Sequence, residues 1–214
     1  MITIKNFTCN MLAENCYVVS DETKECVIID CGALYEEEGA AITNYIQSFG
    51  LTPKHLLCTH GHFDHCLGNG IIYNTFGLKP EVHSDDEFLM VKMREQTYDF
   101  VGVNLPIEVP SVGRYLSDSD VITFGSHTLS ILHTPGHTPG GVCYYCETEG
   151  VLFSGDTLFR MSIGRTDFER SSYEDIVDSL FNVLAPLPSA TKVYPGHGPA
   201  TTIADEVRYN PYFR

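Results

Sequence analysis

One stretch decides the fold of this chain: Thr59-His60-Gly61-His62-Phe63-Asp64-His65. It places three imidazoles and one carboxylate in a short loop that follows an apolar strand predicted at residues 55–59. Neutral imidazole and carboxylate suit zinc, manganese or iron. A structural zinc site usually closes with four ligands that include cysteines, whereas His and Asp ligands with open positions are typical of a catalytic metal. The stretch therefore predicts a catalytic metal site.

The spacing within this loop allows one segment to serve two metal ions. His60 and His62 can turn to one side and bind one cation, while Asp64 and His65 turn to the other side and bind a second. Four side chains are too few to complete two sites. We therefore expect further ligands from other parts of the chain.

Three further candidate ligands each follow a predicted strand and lie in a glycine-bearing turn. Glycine lets the backbone turn sharply and brings a neighbouring side chain close to a cation. The candidates are His137 in His133-Thr134-Pro135-Gly136-His137-Thr138-Pro139-Gly140-Gly141, Asp156 in Phe153-Ser154-Gly155-Asp156-Thr157, and His197 in Tyr194-Pro195-Gly196-His197-Gly198-Pro199.

The composition is that of an acidic globular protein. The 214 residues are 43% hydrophobic and 19% charged, and 28 acidic residues against 13 basic ones give a formal net charge of −15. This charge opposes binding to nucleic acid, so we expect a small-molecule substrate. The sequence shows neither a transmembrane-length apolar run nor a secretion signal. We expect a cytoplasmic protein without a membrane anchor.

The eight cysteines predict free thiols rather than disulfides in a chain of this size without a secretion signal. Cys143 and Cys146 form a C-x-x-C motif within a strand predicted at residues 141–146. Strand side chains alternate between faces, so positions three apart point in opposite directions and cannot bind one metal together. We interpret both cysteines as packed core residues.

Hydrophobic patterns divide the chain into two similar halves, each a sheet covered by helices. Strands are predicted at 2–4, 16–19, 26–30, 55–59, 81–83, 121–124, 128–132, 141–146, 150–153 and 191–194, and helices at 35–49, 65–76, 85–99, 173–185 and the carboxy terminus. No linker separates the halves, so the pattern predicts an α/β four-layer αββα sandwich, with two mixed sheets flanked by helices, as a single domain over residues 1–214. Residues 100–116 are the least regular segment and a candidate loop over a cleft.

The first loop and the three glycine-bearing turns, in this order, resemble the metallo-β-lactamase superfamily of binuclear hydrolases over essentially the whole chain. The resemblance implies two divalent metal ions, zinc in the first place, with iron or manganese as alternatives. It places His60, His62 and His137 on the first metal, Asp64, His65 and His197 on the second, and Asp156 between them. β-Lactamases of this fold lack the bridging aspartate, which makes antibiotic hydrolysis the less expected activity.

Within the superfamily the chain looks most like glyoxalase II and its short bacterial relatives, which hydrolyse hydroxyacylglutathione thioesters. The likeness lies in the turn around His137, in Gly155-Asp156-Thr157-Leu158-Phe159 and in Gly164-Arg165-Thr166-Asp167-Phe168. Glyoxalase II proper continues into a helical carboxy-terminal domain that binds glutathione, whereas this sequence stops at Arg214. The resemblance therefore implies a thioesterase that uses a hydroxide held by the metals, and it leaves the thiol half of the substrate open.

Two other activities are compatible with the same motifs. Persulfide dioxygenases share the His-x-His-x-Asp-His and Gly-Arg-Thr-Asp-Phe patterns but use a single iron, so an oxidoreductase is the main alternative. Lactone hydrolysis is chemically close and is the second alternative. A nuclease is disfavoured because the chain is acidic and lacks a basic arm.

The remaining polar residues near the motifs receive supporting roles. Asp64 or Asp156 is expected to orient the nucleophile, which makes them the catalytic carboxylates. His133 opens the loop of His137 and is expected to support a ligand through its ring nitrogen. Arg165 either pairs with Asp167 to brace its loop or faces the substrate. The other histidines are interpreted as packed or surface residues: His55, His83 and His127.

Overall fold

Two six-stranded β-sheets form the centre of the computed structural model, which describes all of residues 1–214. In the first sheet the strands lie side by side in chain order. They are β1 Thr3–Cys9, β2 Glu14–Ser20, β3 Glu25–Ile29, β4 Thr52–Leu57, β5 Pro80–His83 and β6 Arg114–Leu116. The first three strands pair antiparallel, and β3 to β6 run parallel.

The second sheet is built from the carboxy-terminal half: β7 Val121–Phe124, β8 His127–His133, β9 Val142–Cys146, β10 Val151–Gly155, β13 Lys192–Pro195 and β14 Thr201–Thr202. Its strand order is β14-β13-β10-β9-β8-β7. Only β10 and β13 pair parallel. A separate hairpin, β11 Leu158–Phe159 and β12 Ser162–Ile163, follows β10. Both main sheets are mixed, as predicted.

Helices cover the outer face of each sheet. They are α1 Glu36–Ser48, α2 Asn69–Phe76, α3 Glu87–Val91, α4 Met93–Val101, α5 Tyr173–Asp178, which continues as a π-helical segment Ser179–Leu184, and α6 Ile203–Tyr209. α1 and α2 pack against the first sheet, and α5 and α6 against the second. None of these helices combines the length and the apolar character that a membrane crossing requires.

The core has several layers because each sheet packs against helices on one face and against the other sheet on the opposite face. All seven residues of β2 are buried, and neighbouring side chains point to different layers: Val18 packs with α1, while Val19 packs between the two sheets. Strands covered on both faces read as continuous apolar runs rather than alternating ones. The layers of helix, sheet, sheet and helix confirm the predicted αββα sandwich.

Local signals in the sequence place several elements correctly. The hydroxyl of Ser172 accepts a hydrogen bond from the backbone N–H of Asp175 at 3.1 Å and begins α5. Cys143 packs against the helices of the second sheet, whereas Cys146 packs between the sheets. The two cysteines of the C-x-x-C motif therefore lie on opposite faces of β9, as predicted.

The segment around residues 85–116 differs from its prediction. The single helix predicted at 85–99 is broken at Lys92 into α3 and α4, and α4 continues to Val101. Residues 100–116 contain the end of α4 and the edge strand β6, and Ile107 of the connecting loop is buried beside Val82 and Met93. This loop packs on the side of the sandwich, so it does not form the predicted cover over a cleft.

Candidate metal centre

Seven imidazole and carboxylate side chains meet at the edge of the sandwich where four strands end. The loop after β4 carries four of them, and β8, β10 and β13 each end next to one more. The structure therefore brings together every predicted ligand: His60, His62, Asp64, His65, His137, Asp156 and His197.

The first group consists of His60, His62 and His137. One ring nitrogen of each lies within 4.8 Å of the others, so a single cation could reach all three. The closest approach is between Nδ1 of His62 and Nε2 of His137, at 2.9 Å. Two imidazoles come from one loop and the third from the opposite sheet, so this group bridges the sandwich.

The second group consists of Asp64, His65 and His197, whose ligand atoms also lie within 4.8 Å of one another. Nε2 of His197 is 3.3 Å from Oδ2 of Asp64, and Nε2 of His65 is 3.7 Å from the same oxygen. His65 is fully buried, whereas the side chain of His197 is 25% exposed. A cation in this group would therefore be reachable from the side of His197.

Asp156 lies between the two groups. Its Oδ2 is 3.6 Å from Nε2 of His137 in the first group and 3.7 Å from Nε2 of His197 in the second. Its Oδ1 is 3.3 Å from Nε2 of His65. One carboxylate thus faces both groups of ligands.

Hydrogen bonds fix which nitrogen most of the imidazoles present. Nδ1 of His137 donates to the backbone carbonyl of Arg165 at 2.7 Å, and Nδ1 of His197 donates to that of Leu12 at 3.1 Å. Nδ1 of His65 donates to the carboxylate of Asp30 at 3.0 Å. An imidazole that donates from Nδ1 presents the lone pair of Nε2, which is the arrangement of metal-binding histidines.

His60 follows the same rule. The hydroxyl of Thr59 donates to Asp30 at 2.7 Å, so its oxygen is left to accept the Nδ1 proton of His60 at 3.1 Å. This leaves Nε2 of His60 directed into the centre.

Several polar atoms of the centre are buried without a hydrogen-bond partner. They are Nε2 of His60, Nε2 of His65 and Oδ1 of Asp156. Leaving such an atom unpaired costs about 1–3 kcal/mol, so native structures rarely do so without a reason. Lone pairs that converge on one point are satisfied by a cation, and the donor set of five imidazoles and two carboxylates fits a divalent one.

The surroundings of the two ligand groups shift the pKa values of their imidazoles in different directions. Burial, and then the neighbouring imidazoles, lower the pKa of His60 well below its usual range, and burial lowers the pKa of His62 to about 3. Burial opposes the charge on His65 too, but the carboxylates of Asp156, Asp64 and Asp30 outweigh it and raise its pKa. His60 and His62 are thus neutral and ready to bind a cation at pH 7.

A close approach at Gly196 explains why glycine precedes His197. A Cβ atom at this position would lie 2.6 Å from Cε1 of His65 and would also collide with Oδ1 of Asp156. Any other residue would push the second and bridging ligands apart. The glycine next to the ligand is therefore required by packing within the centre.

A cavity of about 730 Å³ opens onto the centre, and five of the seven candidate ligands line it. This volume lies in the range of small-molecule sites. Its walls are largely apolar: Leu12, Phe63, Leu89, Phe100, Phe159, Ile163 and Phe168. Of residues 100–116 only Phe100, near the end of α4, contributes, so α3 and α4 form this part of the cavity wall and the loop that follows α4 does not.

Charged residues at the cavity are mostly paired. Lys92 binds Glu169 at 3.0 Å across the cavity, from the junction of α3 and α4 to the loop after β12. Arg165 makes two hydrogen bonds to Asp167, at 2.9 and 2.8 Å. The guanidinium therefore braces its own loop, which was one of the two predicted alternatives, while its carbonyl holds His137.

The other histidines do not enter the centre. Nε2 of His133 bonds the carbonyl of Pro139 at 2.9 Å, and its ring stacks on His83 with centroids 4.4 Å apart. His133 thus supports the loop of His137 rather than the imidazole itself. His55 pairs with Glu81, and His127 lies between two carboxylates away from the cavity.

Two supporting aspartates were not anticipated from the sequence. Asp30 follows β3 with a φ of +52° and accepts hydrogen bonds from the backbone N–H and the hydroxyl of Thr59 as well as from His65. Asp86 contacts two ligand loops from the end of β5. Neither aspartate has the sequence spacing of a metal ligand, so no local pattern predicts its role. In the structure, the positive φ of Asp30, a non-glycine residue, indicates a functional position.

Known proteins resemble this chain over nearly its full length. Residues 10–197 match the family described as the Metallo-beta-lactamase superfamily. Hydroxyacylglutathione hydrolase GloC of Haemophilus influenzae is 34% identical over 201 residues, 93% of this chain and 92% of GloC. The solved structure of BLEG-1 B3 metallo-beta-lactamase is 34% identical with a TM-score of 0.90 and covers 98% of this chain and 99% of its own. The di-iron-bound form of TTHA1623 is 34% identical with a TM-score of 0.85 and covers 97% of this chain and 99% of its own. The chain therefore belongs to the metallo-β-lactamase superfamily of metal-dependent hydrolases.

Proposed function

We propose that the protein is a binuclear thioesterase that cleaves hydroxyacylglutathione-type thioesters. The observation that carries the proposal is the position of Asp156, whose oxygens face both ligand groups at the floor of the cavity. A carboxylate shared by two groups favours two metals over one. The similarity to GloC supports a thioester of glutathione as the substrate class.

Each side chain of the centre has a role in this proposal. His60, His62 and His137 would hold the first metal, Asp64, His65 and His197 would hold the second, and Asp156 would be shared by both. We propose zinc as the metal, with iron and manganese as alternatives. The di-iron form of TTHA1623 supports iron as the main alternative.

When bound, a metal pair supplies Lewis acidity and lowers the pKa of a coordinated water to about 7. Asp64 and Asp156 supply the acceptor oxygens that orient the attacking water and hold its proton at the cavity floor. The leaving group is a thiolate whose parent thiol has a pKa of about 8.5, so no strong general acid is needed. The apolar walls exclude bulk water from the carbonyl. No serine or cysteine nucleophile is required.

Charge and cysteine chemistry support the rest of the proposal. Glu95 and Asp99 line the cavity without an ion-pair partner and oppose a polyanionic substrate such as nucleic acid. All eight cysteines are buried free thiols, which supports a reducing compartment such as the cytoplasm.

The decisive experiment measures hydrolysis of S-lactoylglutathione and the metal content on the same purified sample. We expect two metal equivalents per chain and a kcat/KM of at least about 10⁴ M⁻¹s⁻¹, the lower end for natural substrates. Nitrocefin, an acyl-homoserine lactone and glutathione persulfide with oxygen uptake serve as parallel substrates. One iron with oxygen consumption would establish a dioxygenase instead, and preferred turnover of nitrocefin or the lactone would move the assignment to a β-lactamase or a lactonase.

A further inference from the structure

Asp86 is a buried carboxylate that belongs to neither ligand group. It lies at the end of the short turn Ser84–Asp86, between β5 and α3, and is fully inaccessible to solvent. A buried charge is retained only where it is well bonded.

The oxygens of Asp86 accept three hydrogen bonds, all from the segments that carry the first ligand group. Oδ2 accepts from the backbone N–H of Gly61 and from the hydroxyl of Thr138, both at 2.8 Å. Oδ1 accepts from the backbone N–H of Gly140 at 2.7 Å. One carboxylate thus ties the loop after β4 to the loop after β8.

The positions of these donors in the sequence are specific. Gly61 stands between His60 and His62, and Thr138 directly follows His137. Every imidazole of the first group is therefore next to a residue that Asp86 holds. No atom of Asp64, His65 or His197 bonds to it.

The packing around Asp86 leaves little freedom for either loop. A Cβ atom at Gly140 would lie 2.6 Å from the backbone nitrogen of Asp86 and 2.7 Å from its Cγ. A Cβ atom at Gly61 would lie 3.2 Å from the carbonyl oxygen of Asp86. Both glycines let the backbone approach the carboxylate closely, so their amides reach it directly.

The second ligand group has its own buried aspartate. Asp30 accepts from Nδ1 of His65 and from Thr59, whose hydroxyl in turn accepts from Nδ1 of His60, and it makes no hydrogen bond to the loop of His137. Asp30 therefore reaches one ligand of each group, whereas Asp86 bonds only to residues beside the ligands of the first group.

We propose that Asp86 is a positioning residue that sets the geometry of the first ligand group independently of the second. The proposal rests on the two-metal function proposed above. Partners that orient metal ligands typically contribute 10–100-fold in metal affinity. Loss of the Asp86 carboxylate is therefore expected to weaken the first site by about that factor and to leave the second within about threefold.

The test compares wild type with Asp86→Asn in two measurements. Hydrogen exchange on the metal-free protein reports whether the amides of Gly61 and Gly140 lose protection, which needs neither metal nor activity. A zinc titration followed by the ring-nitrogen resonances of His137 and His197 then gives a separate affinity for each group. We expect at least tenfold faster exchange of both amides and weaker zinc binding at His137 only.

Four further variants sharpen the comparison. Asp85→Asn changes the neighbouring exposed carboxylate and should behave as wild type. Asp30→Asn, which alters the partner of His65 and of the Thr59 hydroxyl that bonds His60, should weaken zinc binding at both groups. If Asp86→Asn does not fold, Thr138→Val removes one donor and leaves the carboxylate, and Thr138→Ser should restore the wild-type values.

Two results would overturn the proposal: unchanged exchange at Gly61 and Gly140, or an equal loss of affinity at both groups, which would indicate a general role in folding. If wild type binds only one zinc ion, the proposed binuclear function fails, and the exchange rates of the metal-free protein still decide whether Asp86 holds the two loops.

Discussion

His62 differs from the other four imidazoles of the centre in the nitrogen that it presents. Its Nδ1 faces Nε2 of His137 at 2.9 Å, whereas the other four rings use Nδ1 for a hydrogen bond to the protein. A ring that binds a metal through Nδ1 must carry its proton on Nε2. We therefore expect His62 to carry its proton on Nε2 and the other four imidazoles to carry theirs on Nδ1.

This tautomer split can be measured directly. In long-range ¹H–¹⁵N spectra of the zinc-loaded protein, we expect His62 as the Nε2–H tautomer and the other four ligands as the Nδ1–H tautomer. His62→Gln assigns the exceptional ring by removing its signals. A His62 ring that carries its proton on Nδ1 would contradict the geometry of the first ligand group.

Replacing Asp156 tests whether the activity depends on a carboxylate shared by the two ligand groups. Asp156→Ala removes the only carboxylate that faces both ligand groups, so we expect thioester hydrolysis to fall by at least about 100-fold, the scale of losing one preorganised electrostatic group. The far-ultraviolet circular dichroism spectrum should be unchanged. Asp118→Ala, an exposed carboxylate away from the cavity, is the matched control. Full thioesterase activity in the Asp156 variant would exclude a bridging role.

At the residue scale, the sequence predicts the candidate ligands better than it predicts the residues that hold them in position. The spacing of His60, His62 and His65 is local, and glycine marks the turn of His197, so pattern alone is enough to find them. Asp86 acts through backbone amides more than twenty residues away in the chain, with Gly61 among its donors. Such a contact exists only once the two sheets are packed, and no local spacing encodes it.

At the scale of elements, hydrogen bonds from one turn connect the two sheets at the end far from the cavity. Asp21, in the turn between β2 and β3, accepts hydrogen bonds from the backbone N–H of Ser126 at 2.7 Å and from Nδ1 of His127 at 3.0 Å. Asp21→Ala should therefore lower the free energy of unfolding by about 3 kcal/mol, since hydrogen bonds to a charged group contribute about 1.5–3 kcal/mol each. Urea denaturation measures the change. Glu22→Ala, in the same turn but exposed, should cost less than about 1 kcal/mol.

The same turn predicts a pH dependence. Burial alone would raise the pKa of Asp21, but hydrogen bonds from Thr23, His127 and Ser126 lower it, so its stabilisation is present above about pH 4, the unfolded value, and is lost as the pH falls. The bond to Asp21 raises the pKa of His127, so its contribution is present below about pH 6.5 and is lost as the pH rises through the raised value. The stability difference between wild type and Asp21→Ala should be largest between these limits. A difference that is constant from pH 3 to pH 9 would contradict the pairing.

The break between α3 and α4 shows what periodicity cannot predict. The helix is interrupted at Lys92, and the side-chain amide of Gln96 donates to the carbonyl of Leu89 at 2.7 Å and to that of Gly61 at 3.2 Å. A side chain thus satisfies a backbone group at the break. The apolar pattern of residues 85–99 is the same for a straight and a broken helix, so the sequence predicted one helix where the ligand loop requires two.

For the whole molecule, the important feature of the candidate ligands is that they come from both sheets. His60, His62, Asp64 and His65 come from the first sheet, and His137, Asp156 and His197 come from the second. The two halves were predicted as similar sheets covered by helices, and the structure confirms that architecture. Each proposed metal therefore has ligands from both halves and would act as a cross-link between them.

A cross-link of this kind should appear as thermal stability. A ligand at 1,000 times its Kd stabilises the folded state by about 4 kcal/mol, and each kcal/mol shifts the Tm of a domain of this size by about 2–4 °C, so removing each ion should lower the Tm by roughly 8–16 °C. His197→Ala removes a partly exposed ligand of the second group and is the matched variant. We expect it to unfold between the temperatures of the zinc-loaded and the chelated wild type and to gain less from added zinc than the wild type does. If chelation leaves the Tm of the wild type unchanged, the metals do not join the two sheets, and the ligands are preorganised by the protein alone.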